Sequence, residues 1–344
     1  MVKLLIISNP QSPGTDYYRT VGPFTQLERD YPDEIRVTVH SPDRAVWFDI
    51  WQADAVLFQR PNGGTIVGYV QEAHRMGKKV LLDIDDLLHH IPDSNPAQGH
   101  FEKDDVKKSI NEALRLADHI FVSTPPLKEF YSNLADENGR KYTSADKITV
   151  VRNGWNPEHH PLEPILPQRK PIRQIFRGST THLADLHTIK SELKIMSKDP
   201  AFAFVMVGLE KWMLPDLQDT NIQFIKWQTL FTYFQLMRES QPDYGIFPLT
   251  DDDFNRCKSN IFALECLRVG ALPIVPAGFP EWDMIPGLLR YNNRHDFQAV
   301  LNKIKAGKVD KVALVGEARA YISEHLTVQK LNEKRLEVIK SLQV

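Results

Sequence analysis

Asn255-Arg256-Cys257-Lys258-Ser259-Asn260-Ile261-Phe262-Ala263-Leu264-Glu265, continued by Cys266-Leu267-Arg268-Val269-Gly270-Ala271-Leu272-Pro273-Ile274-Val275, is the stretch on which the fold turns. A polar, positively charged loop enters an amphipathic run, Gly270 closes it as a glycine ends a helix, and a short apolar segment follows. That order of loop, helix, turn and strand is one unit of a parallel α/β sheet. The side chains carry chemistry as well. A helix amino terminus with Lys258, Ser259 and Asn260 suits a pyrophosphate. A carboxylate one to two turns further in, Glu265, can accept both hydroxyls of a ribose, although a solvated helix position is the commoner fate of a lone Glu.

Working outward, the same alternation recurs on both sides. Strand-like runs at Lys3–Ser8, Ile35–His40, Ala55–Gln59, Lys79–Asp83, His119–Val122 and Lys147–Val151 alternate with helical patterns at Val21–Asp30, Thr65–Met76, Asp104–Ala117 and Pro125–Leu134. Residues 1–155 therefore read as one doubly wound, Rossmann-like domain. The segment RNGWNPEHHPLEPILPQRKP packs five prolines into twenty residues, which no regular element tolerates, so 156–171 reads as a linker. Strands at Ile172–Phe176, Phe202–Val207, Ile222–Ile225, Tyr244–Phe247 and Leu272–Val275 then alternate with helices at His182–Met196, Leu230–Glu239 and Asn260–Val269. This second Rossmann-like domain spans 172–322, with its alternation complete near Arg290. Two amphipathic stretches follow, Val312–Ile322 and Val328–Leu342. The apolar stripe of the second needs a surface to cover it, and 323–344 forms a terminal helix on the first domain.

Composition sets limits on function. With 344 residues, 42% hydrophobic, the chain has material for two cores. A net charge of -2 supplies no global field toward nucleic acid or anionic lipid. The two cysteines, nine positions apart, fit neither a metal-ligand spacing nor a disulfide framework, and the opening apolar run is too short for a signal segment. A cytoplasmic protein is expected. Neither G-x-G-x-x-G nor G-x-x-x-x-G-K-[ST] occurs, which removes the main sequence support for a dehydrogenase or a P-loop NTPase.

Two further segments carry candidate ligand groups. After the first strand, Gly14 could bring backbone close to a ligand and Arg19 could supply a fixed cation. Between the first strand and helix of the second domain, Arg177-Gly178-Ser179 and His182 offer charge, hydroxyls and backbone N–H groups to a phosphate; an ordinary Ser/Thr helix cap would look the same. Asp83-Ile84-Asp85 is a D-x-D at a strand end, which could hold a metal or merely cap a helix. The adjacent pairs His89-His90 and His159-His160 point apart on any regular element and make a poor metal cluster.

These motifs resemble those of retaining GT-B glycosyltransferases of the large family four, in particular the smaller bacterial and phage type. Glu265 matches the second acid of the family's nucleotide signature, Gly270 its closing turn, and Lys258-Ser259 with Leu264-Glu265 the K-S-x-x-x-x-L-E variant. Gly14 to Arg19, Asp83-Ile84-Asp85-Asp86 with Pro92, Asn153-Gly154, and Gly178-Ser179 with His182 and Asp185 match further family segments in order. Two positions depart: Cys257 stands where the first acid belongs, and His182 where the family has a Lys. The resemblance implies transfer of a sugar, with retention, from a nucleoside diphosphate sugar, UDP-sugar favoured, to a hydroxyl acceptor. Arg177 and Lys258 would act on the departing diphosphate. Gly14, Arg19, Gly178, Ser179, His182, Ser259, Asn260 and Glu265 would bind the donor, and Asp85 and Asp86 would face the acceptor. No essential metal or other cofactor is implied. The acceptor is a saccharide or glycoconjugate, or alternatively a hydroxymethylpyrimidine in DNA approached over a basic track from Arg140-Lys141, Lys147, Arg152 and Arg169-Lys170 to Arg173. A sugar-nucleotide-binding module without turnover is the third alternative, motivated by Cys257.

Overall fold

The structure is a computed structural model, which describes residues 1–8, 13–44, 47–217 and 220–342. Two parallel six-stranded sheets form its framework. The first comprises β1 (Val2–Ile7), β2 (Ile35–His40), β3 (Ala55–Gln59), β4 (Lys79–Ile84), β5 (His119–Val122) and β6 (Ile148–Val150), in the spatial order 2-1-3-4-5-6. The second comprises β7 (Ile172–Arg177), β8 (Phe202–Val207), β9 (Gln223–Ile225), β10 (Tyr244–Ile246), β11 (Leu272–Pro276) and β12 (Leu289–Tyr291), in the order 12-11-10-7-8-9. β3 and β11 are buried along their whole length, as strands covered by helices on both faces must be. Each sheet reverses its winding beside its first strand, and the crevices at those points face each other across a cleft.

Short helices at Trp47–Gln52, Gln98–Phe101, Asp253–Arg256 and Pro280–Asp283 add to the sequence reading, and three longer segments differ from it. The stretch after β1, read as a loop, contains a helix at Pro13–Arg19 that runs almost directly into Val21–Asp30. The single helix expected over His182–Met196 is broken into Leu183–His187 and Lys190–Lys198 after a 3-10 turn at Thr180–His182. Thr188 sits at the break, its hydroxyl donating to the Asp185 carbonyl at 2.6 Å, a local bond that competes with helix continuation. The alternation also continues past Arg290: β12 pairs with β11, and a helix at Arg294–Lys305 follows, capped by Asn293 accepting from the Asp296 amide at 3.0 Å. Among the described residues, no helix is long and apolar enough to cross a membrane.

The chain closes on itself at its end. Trp155 bonds to both sides of the final turn, donating its amide to the Leu326 carbonyl and accepting from the Val328 amide. The helix Val328–Ser341 then crosses to the first domain, where Leu336, Val338 and Ile339 join Leu4, Ile6, Phe24 and Leu27 in one apolar cluster. Asn332 donates to the Pro23 carbonyl at 2.7 Å, fixing the crossing point. Ile339 has no exposed surface, so Ile339→Ala leaves a cavity between the two ends of the chain. Its expected cost is about 2–4 kcal/mol, read as a lower urea midpoint; an unchanged midpoint would show that this helix is not held by its apolar face.

Candidate functional site

The cleft contains a cavity of about 530 Å³ to which both domains contribute. From the second domain, β7 delivers Arg177 at its carboxyl end and the following turn delivers Gly178, Ser179 and His182. Gly178 has no room for a side chain: a Cβ there would lie 2.7 Å from the Phe176 ring and 3.1 Å from His182. Gly208, at φ 93, is pressed against it, since its own Cβ would meet the Gly178 carbonyl oxygen at 2.3 Å. Two strand-end backbones thus meet with no room for a side chain between them, and both glycines line the cavity.

Opposite them, Lys258 and Ser259 precede the helix Ile261–Arg268, one face of which brings in Glu265. Glu265 is only 4% exposed. Its Oε2 accepts from Arg177 Nε at 2.8 Å and from the Tyr233 hydroxyl at 3.1 Å, and its Oε1 accepts from the Tyr18 hydroxyl at 3.1 Å. Burial would lower the Arg177 guanidinium's pKa, but the Glu265 carboxylate more than offsets this and holds it above its ordinary value. His182 donates or accepts through Nδ1 at 2.8 Å to Asp185, a carboxylate also bonded by Thr250 and Asn255. Burial pushes the imidazole below its usual range, Lys258 and Arg177 add to the effect, and Asp185 opposes it only in part. The ring is therefore neutral at pH 7, with Nδ1–H directed at Asp185.

The first domain's wall is built from the ends of β3 and β4. Arg60, in the left-handed region at φ 45, pairs with both Asp85 and Asp86, and Lys258 reaches across the cleft to Asp86 at 2.9 Å. Burial alone would raise the Asp86 carboxyl; Lys258 and Arg60 outweigh it and hold it below the carboxylate range. Leu88, Ile91, Phe101 and Phe254 give the rest of this end an apolar lining.

Most of the residues singled out from sequence meet here: Gly14, Asp85, Asp86, Arg177, Gly178, Ser179, His182, Lys258, Ser259 and Glu265 all line the cavity. Two do not. Arg19 is fully buried inside the first domain, its guanidinium spent on Asp83, the Val151 carbonyl and Asn153, so it has no edge left for a ligand. Asn260 is likewise buried, its Nδ2 donating to the Asn153 carbonyl at 3.2 Å as a tie between domains. Cys257 packs with Phe254 into the first domain's core, and burial lifts its thiol to about 12, so it substitutes for the family's acid in position only. Three of the cations considered for a basic track are engaged elsewhere. Lys147 and Arg173 lie at the amino ends of β6 and β7, opposite the cleft, where they bond to the Ala117 and Ser240 carbonyls, and Arg152 is paired with Glu281. Tyr18, Arg60 and Tyr233 were not identified from sequence; a Tyr beside a candidate Arg was the only available hint, since nothing local ties them to Glu265 or Asp85.

No family model and no curated protein matches the chain. Solved structures do, over their full lengths. They include an α-glucosyltransferase in complex with UDP-glucose and DNA containing an abasic site, at a TM-score of 0.65 and 13% identity over 98% of this chain and 99% of that one. Anabaena HepE in complex with UDP-glucose matches at 0.66 and 12% over 99% and 100%. The lipopolysaccharide outer core galactosyltransferase WaaB in its apo form matches at 0.60 and 15% over 98% and 99%. The fold is GT-B.

In this GT-B cleft, His182 gives a pH signature. Its pKa is lower in the folded chain than the unfolded value of about 6.5, so the stability it contributes is complete above that value and is lost as pH falls toward the folded pKa. His182→Gln is expected to flatten the decline in unfolding free energy between pH 7 and pH 5. Equal slopes for the two proteins in urea titrations would show that the ring is not held neutral.

Proposed function

We propose that this chain is a glycosyltransferase that moves a sugar from a nucleoside diphosphate sugar, with UDP-sugars favoured, to a hydroxyl acceptor. The observation that carries this reading is the convergence of Arg177, Lys258, Ser259 and Glu265 on one cavity, in a fold whose solved neighbours hold UDP or UDP-glucose. Glu265 would receive the ribose hydroxyls. Arg177, with Nε committed to Glu265, keeps its terminal nitrogens for the diphosphate, and the bare peptide at Gly178 lets a phosphate approach closely. As the bond from the anomeric carbon to the diphosphate oxygen breaks and the acceptor oxygen bonds to that carbon, charge grows on the diphosphate, where Arg177 and Lys258 stabilise it. The acceptor proton passes to the departing phosphate oxygen. This front-side course retains the anomeric configuration and needs no enzymic nucleophile. It needs no divalent metal either, a reading supported by the D-x-D segment, where Asp83 is bound to Arg19 and Asp85 to Arg60.

For the acceptor, a saccharide or glycoconjugate is the reading we favour. Several solved neighbours hold DNA, one of them with an HMU base, but of the cations considered for a duplex here Lys147 and Arg173 bond to carbonyls at the amino ends of their strands and Arg152 is paired with Glu281. A cytoplasmic setting is consistent with two free, buried cysteines.

Glu265→Ala is expected to weaken UDP binding in calorimetry by the loss of charge-assisted hydrogen bonds, on the order of 1.5–3 kcal/mol each; an unchanged affinity would remove Glu265 from the donor site. Arg177→Ala should lower kcat more than it raises the donor KM, because its contacts strengthen as the diphosphate leaves. A pure KM effect would mean ground-state binding alone. Transfer or donor hydrolysis should persist in EDTA, whereas full loss restored by magnesium or manganese would return the D-x-D segment to consideration. Bound UDP-glucose with neither transfer nor hydrolysis would leave a binding module.

A further inference from the structure

Two groups assigned above to the donor are engaged by the first domain. Glu265 already accepts three hydrogen bonds, from Arg177, Tyr233 and Tyr18. A carboxylate offers about four lone-pair sites, and a ribose diol brings two donors, so one of the three present donors has to leave. Arg177 is held by charge, and Tyr233 belongs to the same domain, in the helix Leu230–Ser240. Tyr18 is neutral and arrives from the other domain, at the end of the helix Pro13–Arg19. Lys258 is in the same situation: its ammonium, 4.2 Å from the centre of the Phe254 ring, donates across the cleft to Asp86 at 2.9 Å. The Tyr18 hydroxyl thus engages the carboxylate that the donor-site reading gives to the ribose, and an Asp86 oxygen engages the ammonium that it gives to a phosphate.

We propose that Tyr18 and Asp86 act as an internal stand-in for the donor, bonding the two domains across the cleft and setting donor affinity by competing with the ribose and the diphosphate respectively. The inference rests on the donor-site reading above. Its physical origin is the cost of leaving a lone pair of a buried carboxylate, or a half-buried ammonium, without a partner: a cleft that holds a sugar nucleotide by buried charge must satisfy that charge when the donor is away. The apparent donor affinity is then reduced by the fraction of molecules in which the stand-in is in place.

The test is calorimetric titration of UDP, uridine and 2′,3′-dideoxyuridine diphosphate into the wild type, Tyr18→Phe and Asp86→Asn, with melting curves as a check on folding. Phe keeps the ring that packs into the second domain's core, and Asn keeps the shape of Asp86, so each variant is an independent trial. Tyr18→Phe should bind UDP about tenfold tighter, the equivalent of one hydrogen bond to a charged group, and the gain should vanish with the dideoxy compound. Asp86→Asn should tighten UDP by several-fold and leave uridine unchanged. UDP affinity that is unchanged or weaker in a variant overturns the role of that residue, as does a gain that is equal for all three probes. If the wild type binds none of UDP, GDP, ADP and dTDP, the donor-site reading itself falls and this inference falls with it.

Discussion

Arg19 and Asp83 face each other with no solvent on either side, Nε and Nη2 against the two carboxylate oxygens at 2.9 and 2.8 Å. A buried ion pair adds little net stability, because desolvation consumes what attraction returns, but removing either partner leaves an uncompensated charge. Its value is positional. Arg19 also donates to the Val151 carbonyl at 2.5 Å and to Asn153, so one guanidinium ties together the segment after β1, the end of β4, the exit of β6 and the start of the interdomain connection. Burial still pushes the Asp83 carboxyl up despite Arg19. Arg335 of the crossing helix lies behind the pair, fully buried, and burial with the nearby Arg19 brings its guanidinium down to about 9.

That pair determines what its neighbour does. Successive residues on a helix point in different directions, so with Arg19 anchored inside the first domain, Tyr18 is directed out of it and joins the second domain's apolar core. The exchange is reciprocal, because Phe254 and Cys257 of the second domain belong to a core cluster of the first. The cleft is therefore not a gap between two finished bodies. Each domain completes part of the other's interior, and the polar groups at that seam, Glu265 with Tyr18 and Lys258 with Asp86, are the ones that face the cavity. The Trp155 bridge to Thr327 and the terminal helix link the domains again on the first domain's side.

Charge is distributed unevenly across the two walls. On the first domain, the acidic run at the end of β4 is countered by Arginine side chains: Asp83 by Arg19, and Asp85 and Asp86 by Arg60. On the second, Arg177 is balanced by Glu265, while the carboxylate partner of Lys258 comes from across the cleft. An anion entering the cavity meets a cation whose present carboxylate belongs to the other domain. This asymmetry, rather than the chain's overall charge of -2, is what the proposed diphosphate site rests on.

Most strands and the longer helices were legible in the sequence because their signals are local. Buried β-branched runs such as Ala55–Gln59, and a glycine-closed helix such as Ile261–Arg268, look the same whatever surrounds them. Where a local signal was outvoted, a specific bond did it, as Thr188 shows by ending a helix through the Asp185 carbonyl. The sequence by itself also determined which residue types stand at the strand ends, and hence that Gly178, Ser179, Lys258 and Glu265 share one crevice. Only the tertiary structure decided how the charges pair. Arg19 was the ligand cation read from the first domain's sequence, yet it is sealed against Asp83, and Arg60, which carried no local signal, lines the cavity. Tyr18 reaches Glu265 across 247 positions of chain. Electrostatic partnership depends on distance and burial, which the order of residues does not encode locally, so the choice between a buried structural charge and an available one is made when the two domains pack.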